Sequence, residues 1–186
     1  MNLKDFSYTK DWALFLDRDG VVSRRIADGY VIRWEDFRFL DGVLEAIASL
    51  SNIFGYIIIV SNQQGVGKGM MSMENLEMID YKMKEEIRQA GGRIDASYYS
   101  PYLASENHSD RKPGTGMALK AKADFHDIDF SRSVMIGDTA SDMEFGKKLG
   151  MITVLICEEV HPDIISADFY FHSMLDFSQQ SAVSSQ

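Results

Sequence analysis

Asp17 and Asp19 stand two residues apart, directly after the apolar run 12–16 and before Gly20. Three other segments carry polar groups in comparable places. Ser61-Asn62-Gln63-Gln64-Gly65 follows the run 55–60, Lys112 precedes Pro113, and Gly137-Asp138-Thr139-Ala140-Ser141-Asp142 follows the run 133–136. Together these residue types suit hydrolysis of a phosphate ester. Asp17 can act as a carboxylate nucleophile, taking the phosphoryl group and splitting one hard step into two. Asp19 can protonate the leaving oxygen and later activate water. Two carboxylates repel a phosphate dianion, so cations must stand beside them. Mg²⁺ prefers oxygen ligands and is held through one or two carboxylates plus substrate phosphate. Asp17, the main-chain carbonyl of Asp19 and Asp138 are the expected protein ligands. Lys112 and the Ser61 hydroxyl are expected to hold phosphate oxygens as charge develops. Asp142 is expected behind them, orienting Lys112 or a metal-bound water.

These segments can cooperate only if the fold brings them to one edge. Residues 12–16 predict a buried strand. Asp41 reads as the N-cap of a helix over about 41–51, with Val43, Leu44, Ile47 and Leu50 at helical spacing. Residues 55–60 predict a second strand. Ser72 caps a longer helix with Met73, Leu76, Ile79, Met83, Ile87 and Ala90 on one face, ended by Gly91-Gly92. Residues 94–100 predict a third strand. Pro113 and Gly114 precede a helix reaching about residue 125. Residues 133–136 predict a fourth strand, 140–149 a helix ended by Gly150, 152–156 a fifth strand and 167–171 a sixth. The Ser/Gln-rich end, 179–186, reads as a frayed tail on a single domain spanning 1–178.

Such alternation implies an α/β fold, three layers with a mostly parallel sheet and helices on both faces. Ligands of such sheets sit outside the carboxyl ends of the strands, where all four segments would meet. The connections are too short for a separate cap domain. Residues 21–39 form a loop long enough to make a small flap over the site.

Composition narrows the function classes. At 45% hydrophobic and 25% charged residues the chain is an ordinary globular one. Its longest purely apolar run, 56–60, is far below the ~20 residues of a membrane span. The first residues lack the basic-then-apolar layout of a signal peptide, and the lone Cys157 excludes an internal disulfide. A cytoplasmic location is expected. The net charge of −9 repels nucleic acid and anionic membranes at long range. The expected partner is therefore a small-molecule phosphate ester, not nucleic acid or membrane. No extended apolar stripe is left over for a large interface, which favours a monomer.

Read in order, Phe-Leu-Asp-Arg-Asp-Gly, Val-Ser-Asn-Gln-Gln-Gly, Arg111-Lys112-Pro113 and Ile-Gly-Asp-Thr-Ala-Ser-Asp resemble the motifs of the haloacid dehalogenase (HAD) superfamily, over roughly residues 14–156. The resemblance is to the capless group that includes heptose-bisphosphate and histidinol-phosphate phosphatases. Asp-Arg-Asp-Gly, Gly29-Tyr30-Val31, Phe37-Arg38-Phe39-Leu40-Asp41-Gly42 and Arg111-Lys112-Pro113-Gly114 carry it. It implies a Mg²⁺-dependent phosphatase with an aspartyl-phosphate on Asp17, acting on a sugar phosphate such as a heptose bisphosphate or on histidinol phosphate. It also nominates Asn62 and Arg111 for substrate binding. A related reading, a polynucleotide 3′-phosphatase, conflicts with the acidic charge. A non-catalytic binding module conflicts with the complete set of catalytic residue types. Two departures bear on substrate. The group's zinc-binding loop of cysteines is shortened here to 100–110 and holds no cysteine, only His108 and Asp110, so a structural zinc is not expected. Thr139 stands where heptose phosphatases carry lysine.

Other residues have plainer readings. Arg24, Arg25 and Arg33 in the flap read as solvated loop charges, with a distal substrate phosphate as the other reading. Gly65-Val66-Gly67-Lys68-Gly69 fails the Walker pattern and reads as a turn, with Lys68 near the cleft. His108, His126, His161 and His172 lack metal-ligand spacing, and Cys157 reads as structural.

Overall fold

The protein is described here from a computed structural model that covers residues 6–27, 29–157 and 166–184. His161 lies outside the described residues. Six strands form one sheet: β1 (Ala13–Leu16), β2 (Tyr56–Asn62), β3 (Ala96–Ser100), β4 (Ser133–Gly137), β5 (Ile152–Ile156) and β6 (Phe169–Phe171). Their spatial order is β3-β2-β1-β4-β5-β6, and every pairing is parallel. The chain builds outward from β1 on one side, then crosses to β4 on the other. That reversal lies beside β1 and makes the crevice where doubly wound folds bind ligands. Leu16 pairs with Ile59 of β2 and Ile136 of β4, so the residues after all three strands share one edge.

Both faces of the sheet are covered, as a parallel sheet requires. Leu14, Leu16, Ile57, Ile59, Val134 and Ile136 face α1 (Val43–Ile53), α3 (Met73–Gln89) and α6 (Met174–Ser184). The alternate residues Ala13, Phe15, Ile58, Val60 and Met135 face α4 (Gly116–Asp124) and α5 (Ala140–Leu149). Period-two alternation thus feeds two cores, and truncating a residue such as the fully buried Phe15 to alanine costs about 3–5 kcal/mol. No helix among the described residues is long and apolar enough to cross a membrane.

The elements depart from expectation in three places. Helix α1 starts at Val43 because Gly42, at φ 73°, occupies its N-cap in the left-handed region. Asp41 is left to pair with Arg24 on the surface, 2.9 Å away. Strand β2 runs two residues past Val60, and Asn62 pairs with Ser100, which locks Ser61 into the sheet. The Ser/Gln-rich end is helical through Ser184 rather than frayed from 179. Within the helix, Ser178 donates to Leu175 O and Ser181 to Phe177 O. Phe177 is fully buried against Tyr8 and Phe171, and that contact outweighs the weak local propensity.

The loop after β1 is anchored rather than free. Val21, Val22, Val31 and Phe37 are buried in the main core. Arg24 N donates to Arg38 O at 2.8 Å and Leu40 N to Val22 O at 3.1 Å. A single 3₁₀ turn, Trp34–Asp36, stiffens its return.

Candidate active site

Lys112 is the hub of the site. Its side chain is 2% exposed, and its Nζ lies 2.9 Å from Asp17 Oδ1 and 2.6 Å from Asp142 Oδ1. The same nitrogen donates to Val60 O at 2.6 Å. Burial alone would lower the lysine pKa, but the charges of Asp142 and Asp17 outweigh it and the ammonium is held above its usual range. Burial likewise raises the Asp17 carboxyl, and Asp142 and Asp19 add to that while Lys112 opposes it. Asp142 works in two directions. Oδ1 meets Lys112, while Oδ2 accepts from Thr139 N at 3.0 Å and Thr139 Oγ1 at 2.6 Å, closing a capping box at the start of α5. Helix start and lysine partner are one residue. Gly137 permits it, because a Cβ there would stand 2.1 Å from that of Asp142.

Asp19 sits in a separate cage. Fully buried Arg18 grips it with Nε to Oδ1 and Nη2 to Oδ2, both at 2.9 Å. Gln63 Nε2 donates to Oδ2 at 2.8 Å and Ser23 Oγ to Oδ1 at 2.9 Å. Burial would raise this carboxyl, but the Arg18 charge and these bonds outweigh it, and the pKa falls below its usual range. Gln63 also donates to Ser61 Oγ at 3.1 Å and accepts from Arg18 Nη2 at 2.9 Å, so it ties the second segment to the first.

The third group lies at the mouth. Asp138 approaches Gly20 so closely that a Cβ there would fall 1.9 Å from its Oδ2, and Gly20 has φ +100°. Arg25, read from sequence as a solvated loop charge, instead reaches into the site. Its Nη2 lies 2.7 Å from Asp138 Oδ1, 2.9 Å from Asp19 O and 4.0 Å from Asp17 Oδ2, and its Nε is 3.1 Å from Asp138 Oδ2. Desolvation and repulsion from Asp17 push the Asp138 carboxyl up to about 7, although Arg25 opposes them. By contrast, Arg24 and Arg33 pair with Asp41 and Asp36 on the surface, as solvated loop charges do.

The structure therefore brings Asp17, Asp19, Ser61, Lys112, Asp138 and Asp142 to one edge, as their types and spacing predicted. Asn62 and Arg111 line the same cleft, whose volume is about 180 Å³. Asn62, however, has both ends of its amide engaged: Nδ2 donates to Lys112 O at 3.1 Å, and Oδ1 accepts from Lys112 N at 2.9 Å. It positions the lysine from the wall of the cleft. Arg111 directs Nη1 to Tyr102 O at 3.0 Å. In the shortened loop, His108 stacks on Tyr102 at 3.4 Å and its Nδ1 accepts from Asp110 N, while Asp110 Oδ2 meets Lys120 Nζ at 2.5 Å.

Sequence reasoning missed Arg18, Gln63, Arg25 and Tyr30 as site residues. An arginine between two aspartates just past a buried strand was a signal for the first. Tyr30 of the flap accepts from Gln64 Nε2 at 2.9 Å and Lys68 Nζ at 2.8 Å. Its ring covers Gly65 in the one-turn helix α2 (Gln64–Gly67), where a turn was expected.

A divalent cation fits this donor set. Asp17, Asp138 and Asp142 each offer a carboxylate oxygen within 4.8 Å of the others. The Arg25 nitrogen, among Asp138, the Asp19 carbonyl and Asp17, marks a position where these oxygens already hold positive charge.

A switch-point crevice with such an arrangement defines a phosphatase of the haloacid dehalogenase superfamily, and the chain belongs to the polynucleotide kinase 3 phosphatase family, which matches residues 10–180. Among curated relatives, the D-glycero-alpha-D-manno-heptose-1,7-bisphosphate 7-phosphatase of Burkholderia mallei is 39% identical over 160 residues, covering 80% of this chain and 82% of that protein. The enzyme of the same name from Campylobacter jejuni is 38% identical over 151 residues, covering 81% and 84%. Among solved structures, the D,D-heptose 1,7-bisphosphate phosphatase of B. bronchiseptica, complexed with magnesium and phosphate, superposes with a TM-score of 0.81 at 24% identity, covering 91% of this chain and 97% of that one. A putative HAD-like phosphatase from Mesorhizobium loti gives 0.72 at 25% identity, covering 94% and 88%.

Proposed function

We propose that this phosphatase removes the 7-phosphate of D-glycero-D-manno-heptose 1,7-bisphosphate with Mg²⁺ as cofactor. The observation that carries the reaction is the buried Lys112 bridging Asp17 and Asp142 beside an acidic mouth. The substrate rests on the heptose-bisphosphate relatives. Mg²⁺, held by Asp17, the Asp19 carbonyl and Asp138, would supply charge neutralisation at the phosphoryl oxygens.

The chain's own residues do the rest. A carboxylate oxygen of Asp17 attacks phosphorus, and the ester oxygen leaves with a proton from Asp19. Water then attacks the aspartyl-phosphate and returns a proton to Asp19, releasing inorganic phosphate. Asp19 stands ionised in its cage, and the incoming dianion beside it raises its proton affinity for the first step. Lys112 and Ser61 hold phosphoryl oxygens. Arg111, on the cleft wall, would meet the second anionic group of a bisphosphate. The enzyme is expected to work as a monomer in the cytoplasm.

The test is phosphate release from both anomers of the heptose bisphosphate, from histidinol phosphate and from a 3′-phosphorylated oligonucleotide, with Mg²⁺ or EDTA. Fast, Mg²⁺-dependent release from one heptose anomer, abolished by Asp17→Asn, is the expected result. Preference for histidinol phosphate would move the substrate to an amino alcohol. Preference for the oligonucleotide would overturn the small-molecule reading, which the net charge of −9 supports.

A further inference from the structure

Arg25 carries a role that the phosphatase chemistry does not require. Among the described residues, four carboxylates meet at the site, Asp17, Asp19, Asp138 and Asp142, and three cations pair with them, Arg18, Lys112 and Arg25. Arg18 is committed to Asp19 and Lys112 to Asp17 and Asp142. Arg25 is the cation that serves Asp138, and its Nη2 also reaches Asp19 O at 2.9 Å. Those oxygens are the ones a divalent ion needs.

We infer that Arg25 is a resident counter-ion of the metal seat, holding Asp138 and the Asp19 carbonyl in place until a divalent cation displaces it. The inference rests on the cation site proposed above. Charge favours the exchange. With Arg25 the four carboxylates face three positive charges, whereas a divalent ion in its place, with Arg18 and Lys112, matches them. Geometry permits it too. The Arg25 side chain is 51% exposed, against 0% for Arg18 and 2% for Lys112, so it can leave without opening the core. It lies in the flap and reaches Asp138, 113 residues further along the chain, through its guanidinium.

Metal binding must then compete with the guanidinium. The measurement is Mn²⁺ binding followed by electron paramagnetic resonance, with no substrate present, for wild type and Arg25→Gln, Arg25→Lys, Arg24→Gln and Asp138→Asn. Arg25→Gln is expected to bind Mn²⁺ roughly two- to fivefold more tightly, the scale of one partly exposed ion pair. Arg25→Lys, which keeps the charge but not the two-point contact, should fall between. Arg24→Gln should match wild type. Equal or weaker binding by Arg25→Gln, with binding lost in Asp138→Asn, would overturn the role of Arg25 while leaving the metal seat intact. No Mn²⁺ binding by any variant would overturn both. A circular dichroism spectrum of each variant in EDTA checks that it is folded.

Discussion

Asn62 closes both ends of its side-chain amide on the main chain of Lys112, fifty residues further on, at 3.1 and 2.9 Å. The end of β2 thereby fixes the loop whose lysine bridges Asp17 and Asp142. Two bonds to one residue set its position along and across the strand, which a single contact would not. Asn62→Ala should therefore lower kcat by about ten- to a hundredfold, the usual penalty for a misplaced catalytic group. Mn²⁺ affinity should stay near wild type, because Asn62 touches none of the metal oxygens. Steady-state phosphate release together with a metal titration checks this. A large loss of metal binding would mean that Asn62 organises the whole edge.

The metal should be visible in stability. A ligand that binds only the folded state at a hundred times its Kd adds about 2.7 kcal/mol. For a chain of 186 residues that raises Tm by about 5–10 °C. Melting in EDTA and in a Mg²⁺ series should show this rise in wild type. Asp138→Asn, which removes the carboxylate shared with Arg25, should show little or none.

Tyr30 fastens the flap. Its hydroxyl accepts from Gln64 and Lys68, while its ring lies over Gly65. Tyr30→Phe keeps the ring and removes both bonds. Each bond is worth about 0.5–1.5 kcal/mol, so KM should rise about three- to tenfold through a looser cleft wall. The Asp17–Lys112 chemistry is untouched, so kcat should hold. A fall in kcat at constant KM would place Tyr30 among the groups that meet the reacting atoms.

The C-terminal helix is part of the core. Phe177 is fully buried against Tyr8 and Phe171. Phe177→Ala should cost about 3–5 kcal/mol in urea unfolding. A loss below 1 kcal/mol would mean that the helix adds little to the fold.

Much of the site was legible because its chemistry is local. Asp17 and Asp138 follow directly on strands, Asp19 stands two residues beyond Asp17 and Ser61 lies at the end of β2, and hydrophobic runs mark strands without help from the rest of the chain. Asp142 stands 2.6 Å from the Lys112 ammonium, a contact within reach of the expected position behind it. Arg25 was not legible, since nothing in Ser23-Arg24-Arg25-Ile26 separates an arginine bound to Asp138 from its neighbour bound to Asp41. The tie between Asn62 and the Lys112 main chain was not legible for a similar reason. A polar side chain at the end of a strand reads the same whether it meets a ligand or a loop. The tail misled through composition, because Ser178 and Ser181 can satisfy their hydroxyls inside a helix once Phe177 has a surface to pack on.

By itself, the sequence determined the parallel α/β architecture and the residue types that react, since both follow from short-range pattern: apolar runs, helix caps and polar residues at strand ends. Tertiary structure alone decided which charge meets which. Arg18 rather than Lys112 grips Asp19, Lys112 bridges Asp17 and Asp142, and Arg25 sits where a metal ion fits. The physical reason is reach. An ion pair is decided within a few ångströms, and those few ångströms are set by strand order and by the packing of a flap more than a hundred residues away in the chain.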